Sequence, residues 1–358
     1  MKPKSFFHKG SFPLESGEEL PSLHIAYQTY GRLNEAGDNV IWICHALTAS
    51  ADAHLWWPGL VGEGKTFDPD HHFIVCANII GSSYGTTGPL SADPRTGLPW
   101  YRSFPDITIR DAVRAHDLLR EHLGIACIHT LIGGSIGAFQ ALEYSILFPD
   151  RVRNLIFVAG SVKISPWATA LNQSQRLAIE ADASYGEDRP FGGSAGLKAA
   201  RSMALLSYRN DRAYNDTQQE RDESKTKNLP AATYQNHQGE KLLRRFDAYS
   251  YHLLTRMMDT HNVIRDRGSL GEALGRIRAR ILAIGIAGDR LFPPEEVKLL
   301  AHVCQQEYAE IESPYGHDGF LLESEQLAGI IKGFRDRHPG ARPGSRQRTV
   351  DLAWAQSA

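Results

Sequence analysis

Cysteine is scarce. The 358 residues contain four, Cys44, Cys76, Cys127 and Cys304, none in a CxxC pair and the first three inside apolar strand-like runs. That excludes a disulfide-stapled small scaffold and reads as reduced core thiols. No His/Cys spacing of the metal-binding kind occurs, and the adjacent His71-His72 at a strand edge read as exposed, so no metal is expected. No stretch of about 18 apolar residues appears, and the first twenty residues, MKPKSFFHKGSFPLESGEEL, lack the apolar core of a signal peptide. No membrane partner is expected, and the expected compartment is the cytoplasm. Neither charge sign dominates: 39 Lys and Arg face 41 Asp and Glu, for a formal net charge of −2, which offers no global basic field for nucleic acid. No internal repeat is visible. What remains is an ordinary globular composition, 42% apolar and 22% charged, in a chain long enough for one large domain or two smaller ones.

Short apolar runs alternate with longer amphipathic stretches: Val40–Cys44, His72–Ala77, Thr130–Ile132, Leu155–Ala159, Ile281–Ala287 and Glu307–Ile311. This rhythm predicts an α/β fold with a mostly parallel sheet and helices on both faces. From about Ser165 to Gly268 the strand rhythm stops. Helical segments are expected there over Ala168–Ala181, Gly196–Arg209 and Lys241–Met258, with a polar interlude at Tyr214–Leu229. Because strands resume afterwards, this stretch is expected to be a helical cap inserted before the strand that carries the catalytic acid. The expected organisation is therefore core 1–164, cap 165–268, core 269–336 and a weakly ordered tail 337–358, rich in Arg, Gly, Pro and Ser.

Gly59-Leu-Val-Gly-Glu-Gly-Lys-Thr66 satisfies the spacing of a phosphate-binding loop. The chemistry needs a strand before it and a helix after it, and neither Trp56-Trp57-Pro58 nor Phe67-Asp68-Pro69-Asp70 supplies one. It is read as a glycine-rich connection.

The segment His129-Thr-Leu-Ile-Gly-Gly-Ser-Ile-Gly-Ala138 is an apolar strand running into GxSxG, and a helix is expected over Phe139–Phe148. A serine hydroxyl is a poor nucleophile unless exposed beside a base, and this strand–turn–helix elbow exposes Ser135. In such sheets the acid and the base follow, each after a later strand. Asp289 comes just past Ile281–Ala287, and His317 follows Glu307–Ile311 through a short loop. Parallel strands bring their carboxyl ends to one edge, so Ser135, Asp289 and His317 can meet. Asp259 and Asp266 fall in the insertion and are not the acid. Backbone donors for an oxyanion are expected at Ile136, after the nucleophile, and at Leu47, in the loop Cys44-His-Ala-Leu-Thr48. His45 in that loop precedes the nucleophile and is read as structural.

Taken together, these blocks resemble the homoserine O-acetyltransferases of the α/β-hydrolase superfamily, enzymes of methionine biosynthesis. The resemblance rests on Cys44–Thr48, Trp56–Lys65, Tyr84-Gly-Thr-Thr-Gly-Pro89, Phe104-Pro-Asp-Ile-Thr-Ile-Arg-Asp111, Gly133-Gly-Ser-Ile-Gly137, Arg245-Phe-Asp-Ala248, Asp289-Arg-Leu-Phe-Pro-Pro294 and Ser313-Pro-Tyr-Gly-His-Asp318, and runs to about Arg335. It implies an α/β-hydrolase fold and a ping-pong acyl transfer from acetyl-CoA, a co-substrate, to the hydroxyl of L-homoserine. Ser135 would be the nucleophile, His317 the base and Asp289 its orienter. It further implies that Arg176, in Asn172-Gln-Ser-Gln-Arg176, grips the substrate carboxylate, that Asp318 binds the amino group, that no prosthetic group is needed, and that cap helices form a homodimer.

The sequence departs from the family pattern beside the acyl pocket. Ile136, Ala138 and Phe139 replace Met, Gly and Met, Gly81-Ser-Ser83 stands where Gly-Gly-Cys is common, and Leu90 replaces a serine. A pocket discriminates one methylene by only ~1–3 kcal/mol, so these changes leave a succinyl donor or a serine acceptor open. Water as acceptor would make the same triad an esterase, but a cap that excludes water favours transfer. A non-catalytic binding protein on this fold would have lost a triad member, and none is lost.

Overall fold

The computed structural model of the protein describes residues 3–338. The expected tail, 337–358, lies outside them except for Arg337 and His338, of which Arg337 closes the last helix.

Strand β1 (Lys4–His8) opens the chain, β2 (Phe12–Pro13) and β3 (Glu19–Leu20) form a small separate hairpin, and β4 (Leu23–Tyr30) follows. The runs rich in Val and Ile form β5 (Val40–Cys44), β6 (Phe73–Ala77), β7 (Ile128–Gly134), β8 (Val152–Val158), β9 (Arg280–Ile286) and β10 (Glu307–Ile311). They assemble one eight-stranded sheet in the order β1-β4-β6-β5-β7-β8-β9-β10. From β6 to β10 every neighbouring pair is parallel, and only β4 runs against its neighbours β1 and β6. The β1 and β4 strands were not anticipated. Only two β1 residues are even partly buried, so it carries little apolar signal, whereas β4 does alternate at Leu23, Ile25 and Tyr27.

The central strands are buried on both faces, which is why they read as continuous apolar runs. Trp42 and Cys44 enter one core and Ile41 and Ile43 the other, and Phe157 and Val158 likewise take opposite sides. Short α1 (Ala53–Trp56) follows β5. The first core is covered by α2 (Ile109–His122) and α3 (Ile136–Leu147), the second by residues 53–67 and the C-terminal helices. Helix α3 is buried almost throughout, as befits a helix apolar on all sides, and its Glu143 is matched by a bidentate Arg267 at 2.7 and 3.0 Å.

Between β8 and β9 lie α4 (Pro166–Glu180), α5 (Ser194–Tyr208), α6 (Asp211–Gln218), α7 (Pro230–Leu243), α8 (Ala248–Asp259) and short α9 (Leu270–Leu274). The chain rises into this cap and returns side by side: Ile164 N–H bonds His261 O at 3.0 Å, and Val263 N–H bonds Val162 O at 3.1 Å. Two sequence expectations fail here. Tyr214 to Gln218 are helical in α6, and the single helix expected over Lys241–Met258 is two, because Asp247 caps α8 by accepting from Ser250 N–H at 2.7 Å. Helix α10 (Pro294–Cys304) joins β9 to β10, and α11 (Gly319–Leu322) and α12 (Ser324–Arg337) end the described chain. Among the described residues no helix is long and apolar enough to cross a membrane.

Candidate active site

Register fixes the working edge of the sheet. Cys44 pairs with Gly133, Gly134 with Val158, Val158 with Ile284, and Ile286 with Ile311, so the strands end at nearly one level. The loops beyond that edge carry residues 45–48, Ser135, Asp289 and His317.

Ser135 sits at the turn from β7 to α3 with φ 60° and ψ −129°, a conformation that L residues rarely hold. Its flanking glycines are sterically required. A Cβ on Gly133 would lie 2.1 Å from Gly137 O, and one on Gly137 would lie 2.2 Å from Cys44 O. The second contact also presses the start of α3 onto the end of β5, the strand that launches the Leu47 loop. Ile136 opens α3, where the N–H groups of a first helical turn have no intrahelical acceptor.

Asp289 is buried, and its Oδ1 accepts from Leu291 N–H at 2.8 Å and Phe292 N–H at 3.0 Å. Its Oδ2 accepts from His317 Nδ1 at 2.7 Å, which fixes the ring with Nε2 on its other side. Burial opposes protonation of His317, but the Asp289 carboxylate, its hydrogen bond and nearby Asp318 outweigh it and hold the imidazole above its ordinary pKa. Aromatic packing ties this ring to the elbow by two routes. Phe320 lies 5.3 Å from the His317 ring, and a Cβ on Gly134 would be 2.6 Å from Phe320. Phe292 packs edge-on to His317 at 5.4 Å and to Phe139 of α3 at 5.3 Å.

His45 is fully occupied by the fold: Nδ1 donates to Ala46 O at 2.8 Å while Nε2 accepts Ile79 N–H at 3.0 Å. Burial pushes its pKa down to about 4, so it stays neutral. The glycine-rich loop at 59–66 uses its own amides internally, Gly62 N–H to Phe67 O and Gly64 N–H to the Asp68 carboxylate, and no helix follows it before β6.

The cap closes over this edge. Asn210 rests on both triad loops: a Cβ on Gly288 would meet its side chain at 2.9 Å and one on Gly316 its backbone N at 3.1 Å. Tyr208 lies 5.7 Å from the His317 ring. Asp318 accepts from Arg209 Nε at 3.3 Å; burial raises its pKa against the pull of His317, Arg209 and Arg201. Arg201 lies over the Tyr208 ring at 5.6 Å, and its guanidinium has no hydrogen-bond or ion-pair partner among the described residues.

Arg176 is placed differently from the role that the family resemblance implied. Its Nη2 bonds Asp259 at 2.6 Å and Gln173 at 2.7 Å, and the recess it lines also holds Glu180, His252 and Arg256 but no member of the triad. Its guanidinium is already neutralised, whereas Arg201, on α5, faces Asp318 and Tyr208. Sequence reading missed Arg201 because one arginine on an amphipathic helix looks like any other. The usable signal was Tyr208, two turns further along the same helix and next to the triad.

Residues 39–324 match the family described as the alpha/beta hydrolase fold. The homoserine O-acetyltransferase of Cyclobacterium marinum is 45% identical over 335 residues, which span 93% of this chain and 95% of the relative. The crystal structure of homoserine O-acetyltransferase from Bacillus anthracis superposes with a TM-score of 0.87 at 25% identity, covering 96% of this chain and 99% of the other. An acetylester hydrolase from Corynebacterium glutamicum gives 0.81 at 26% identity over 93% of this chain and 95% of its own.

Proposed function

Because this chain belongs to the homoserine O-acetyltransferase family, built on the α/β-hydrolase fold, we propose that it transfers an acetyl group from acetyl-CoA to the hydroxyl of L-homoserine. The observation that carries the reading is the capped site. Asp289 and His317 are bonded at the working edge, Asp318 follows the imidazole in the chain, and Arg201 lies over the Tyr208 ring that packs against it. A cation and a carboxylate so placed match the carboxylate and ammonium of an α-amino acid, which leaves its side-chain hydroxyl for the chemistry.

In this reading Ser135 Oγ attacks the thioester carbonyl as its proton passes to His317 Nε2. The N–H groups of Leu47 and Ile136 hold the oxyanion. Collapse expels the CoA thiolate, which takes the proton, and leaves acetyl-Ser135. The acceptor hydroxyl then gives its proton to His317 Nε2 and attacks the ester, and the returning Ser135 oxygen recovers that proton. Arg201 takes the substrate carboxylate and Asp318 the ammonium. No prosthetic group enters any step. The expected setting is the cytoplasm, in keeping with four free cysteines, and the expected assembly is a homodimer through the cap, whose Trp167, Leu177 and Leu206 are exposed apolar residues.

The test follows free thiol release from acetyl-CoA and from succinyl-CoA, each with L-homoserine, L-serine or no amino acid, with Ser135→Ala as control. Ser135-dependent release that requires acetyl-CoA and homoserine is the expected result. Preference for succinyl-CoA or serine would reassign the substrates. Equal release without an acceptor would make the protein a thioesterase, the reading favoured by its likeness to an acetylester hydrolase.

A further inference from the structure

The residues around Leu47 are held by the core, and one of them is held by the cap as well. Before it, His45 O accepts from Gln140 Nε2 at 3.4 Å and Ala46 O from the buried His45 ring at 2.8 Å. After it, Ser50 O accepts from Trp56 Nε1 at 2.8 Å, and Ala51 N–H donates to Asn78 Oδ1 at 2.7 Å. That residue is Thr48. The turn closes through Ala49 N–H to Ala46 O at 3.0 Å, and the Thr48 carbonyl accepts from Tyr84 O–H at 3.0 Å and from Arg245 Nη1. Arg245 also donates to Tyr84 Oη at 2.5 Å and, through Nη2, to Thr48 Oγ1 at 3.3 Å. It belongs to the cap, in the break between α7 and α8, and is exposed to solvent.

From this we infer that Arg245 is a positioning residue: reaching down from the cap, it locks the Ala46–Ala49 turn through Thr48 and so aims the Leu47 N–H at the oxyanion. An oxyanion donor contributes only if its direction is set before charge develops, because reorienting a peptide during the reaction adds to the barrier. A guanidinium suits the task, since its planar fork can bond a carbonyl, a hydroxyl and a phenol oxygen in one fixed geometry, which an ammonium cannot. The neighbouring tie is of the same kind: Ser83 Oγ donates to Asp247 Oδ2 at 2.6 Å and accepts Asp247 N–H at 3.2 Å, which holds the α7–α8 break against the core. The cap thereby does more than cover the site; one half of the oxyanion hole depends on its being seated.

The inference rests on the proposed acyl-transfer chemistry, and the experiment separates the two. Acetylation of Ser135 by p-nitrophenyl acetate is followed as a pre-steady-state burst, without coenzyme or amino acid, in wild type, Arg245→Gln, Arg245→Lys, Tyr84→Phe and the Arg245→Gln/Tyr84→Phe double variant. Losing a whole oxyanion donor costs about 10²–10³ in rate, so a misaimed one should cost roughly 10- to 100-fold in Arg245→Gln. Arg245→Lys should recover only part of this, Tyr84→Phe should lose several-fold, and the double variant should lose less than the product of the two, since both bond the same carbonyl. KM for homoserine and the thermal midpoint should stay near wild type. Acylation by Arg245→Gln at the wild-type rate overturns the inference, as does a loss matched by a fall in thermal midpoint or a defect confined to KM for acetyl-CoA. A wild-type protein that acylates but never passes the acetyl group to homoserine would sink the proposed function and leave the Arg245 comparison intact. Wild type that fails to acylate sinks both.

Discussion

The working edge of the sheet and the cap that lies on it are built by different rules. Ser135 and the Asp289–His317 pair stand on the ends of strands buried on both faces, and each is held by backbone amides or by glycines that admit no other residue. The cap contributes through single side chains on its helices and their ends, Arg201, Tyr208, Arg209 and Arg245, tied to the core by a few polar contacts. In the proposed reading the covalent chemistry is thus placed on the ends of the sheet, and the cap adds recognition and, through Arg245, one support for the oxyanion loop. The lesson is that variants at the edge should abolish turnover, whereas variants in the cap should alter which molecule is accepted or, at Arg245, slow acylation without abolishing it.

The strongest way to break that contrast is Ser135→Ala. Acyl transfer should fall by about 10⁴-fold or more, as removal of a triad nucleophile does elsewhere, with acetyl-CoA still bound. Stopped-flow thiol release measures it, and retained turnover would move the nucleophile away from the elbow. Asp289→Asn should follow closely, with a loss of roughly 10³–10⁴ in kcat, because an amide facing Nδ1 favours the wrong imidazole tautomer.

A smaller and more selective effect is expected from the cap. Arg201→Gln should raise KM for homoserine by roughly a hundredfold, the cost of leaving a bound carboxylate without its charged partner, with the p-nitrophenyl acetate burst unchanged. Arg176→Gln should leave that KM nearly untouched, since its guanidinium is committed to Asp259 and Gln173. The reverse order would restore the role that family resemblance implied for Arg176.

The same comparison explains what could be read from the sequence. The parallel strands, the GxSxG elbow and the placing of Ser135, Asp289 and His317 at one edge of the sheet were legible because apolar runs and glycine spacing are local and steric. Asp289 and His317 needed only their position just past a strand. What escaped was weakly patterned, turned on a single residue, or depended on partners distant in sequence. Strand β1 is mostly exposed and shows little pattern, Asp247 ends one helix and starts another through a single cap, and Arg201 acquires meaning only where α5 meets the loop after β10. The cap was legible as helical but not as a set of contacts.

The smallest effects expected are those of pH. His317 is a base only when neutral, and its pKa is held above the ordinary value, so kcat/KM should fall as pH drops through a point above about 6.5. An acid limb at or below 6.5 would mean that Asp289 does not outweigh burial. Stability should fall in the same direction, over a lower interval of pH. Burial depresses His45, His116 and His261 to about 4, so the unfolded chain takes up protons first as the solution is acidified. Their stabilisation is complete above about 6.5 and is lost as pH falls toward 4. Differential scanning calorimetry between pH 7.5 and 4.5 should show the midpoint declining over that interval.

The two hydrogen bonds that join residues 162–164 to 261–263 give the cap a single narrow stem. Closing a loop costs entropy only with the logarithm of its length, so about a hundred residues can hang from such a stem almost as cheaply as thirty. A cap mounted this way can be lengthened, shortened or exchanged for another without rethreading any strand. Grafted at Val162 and Val263, a different cap would inherit a finished nucleophile, acid and base and would need to bring its own selectivity and its own substitute for Arg245.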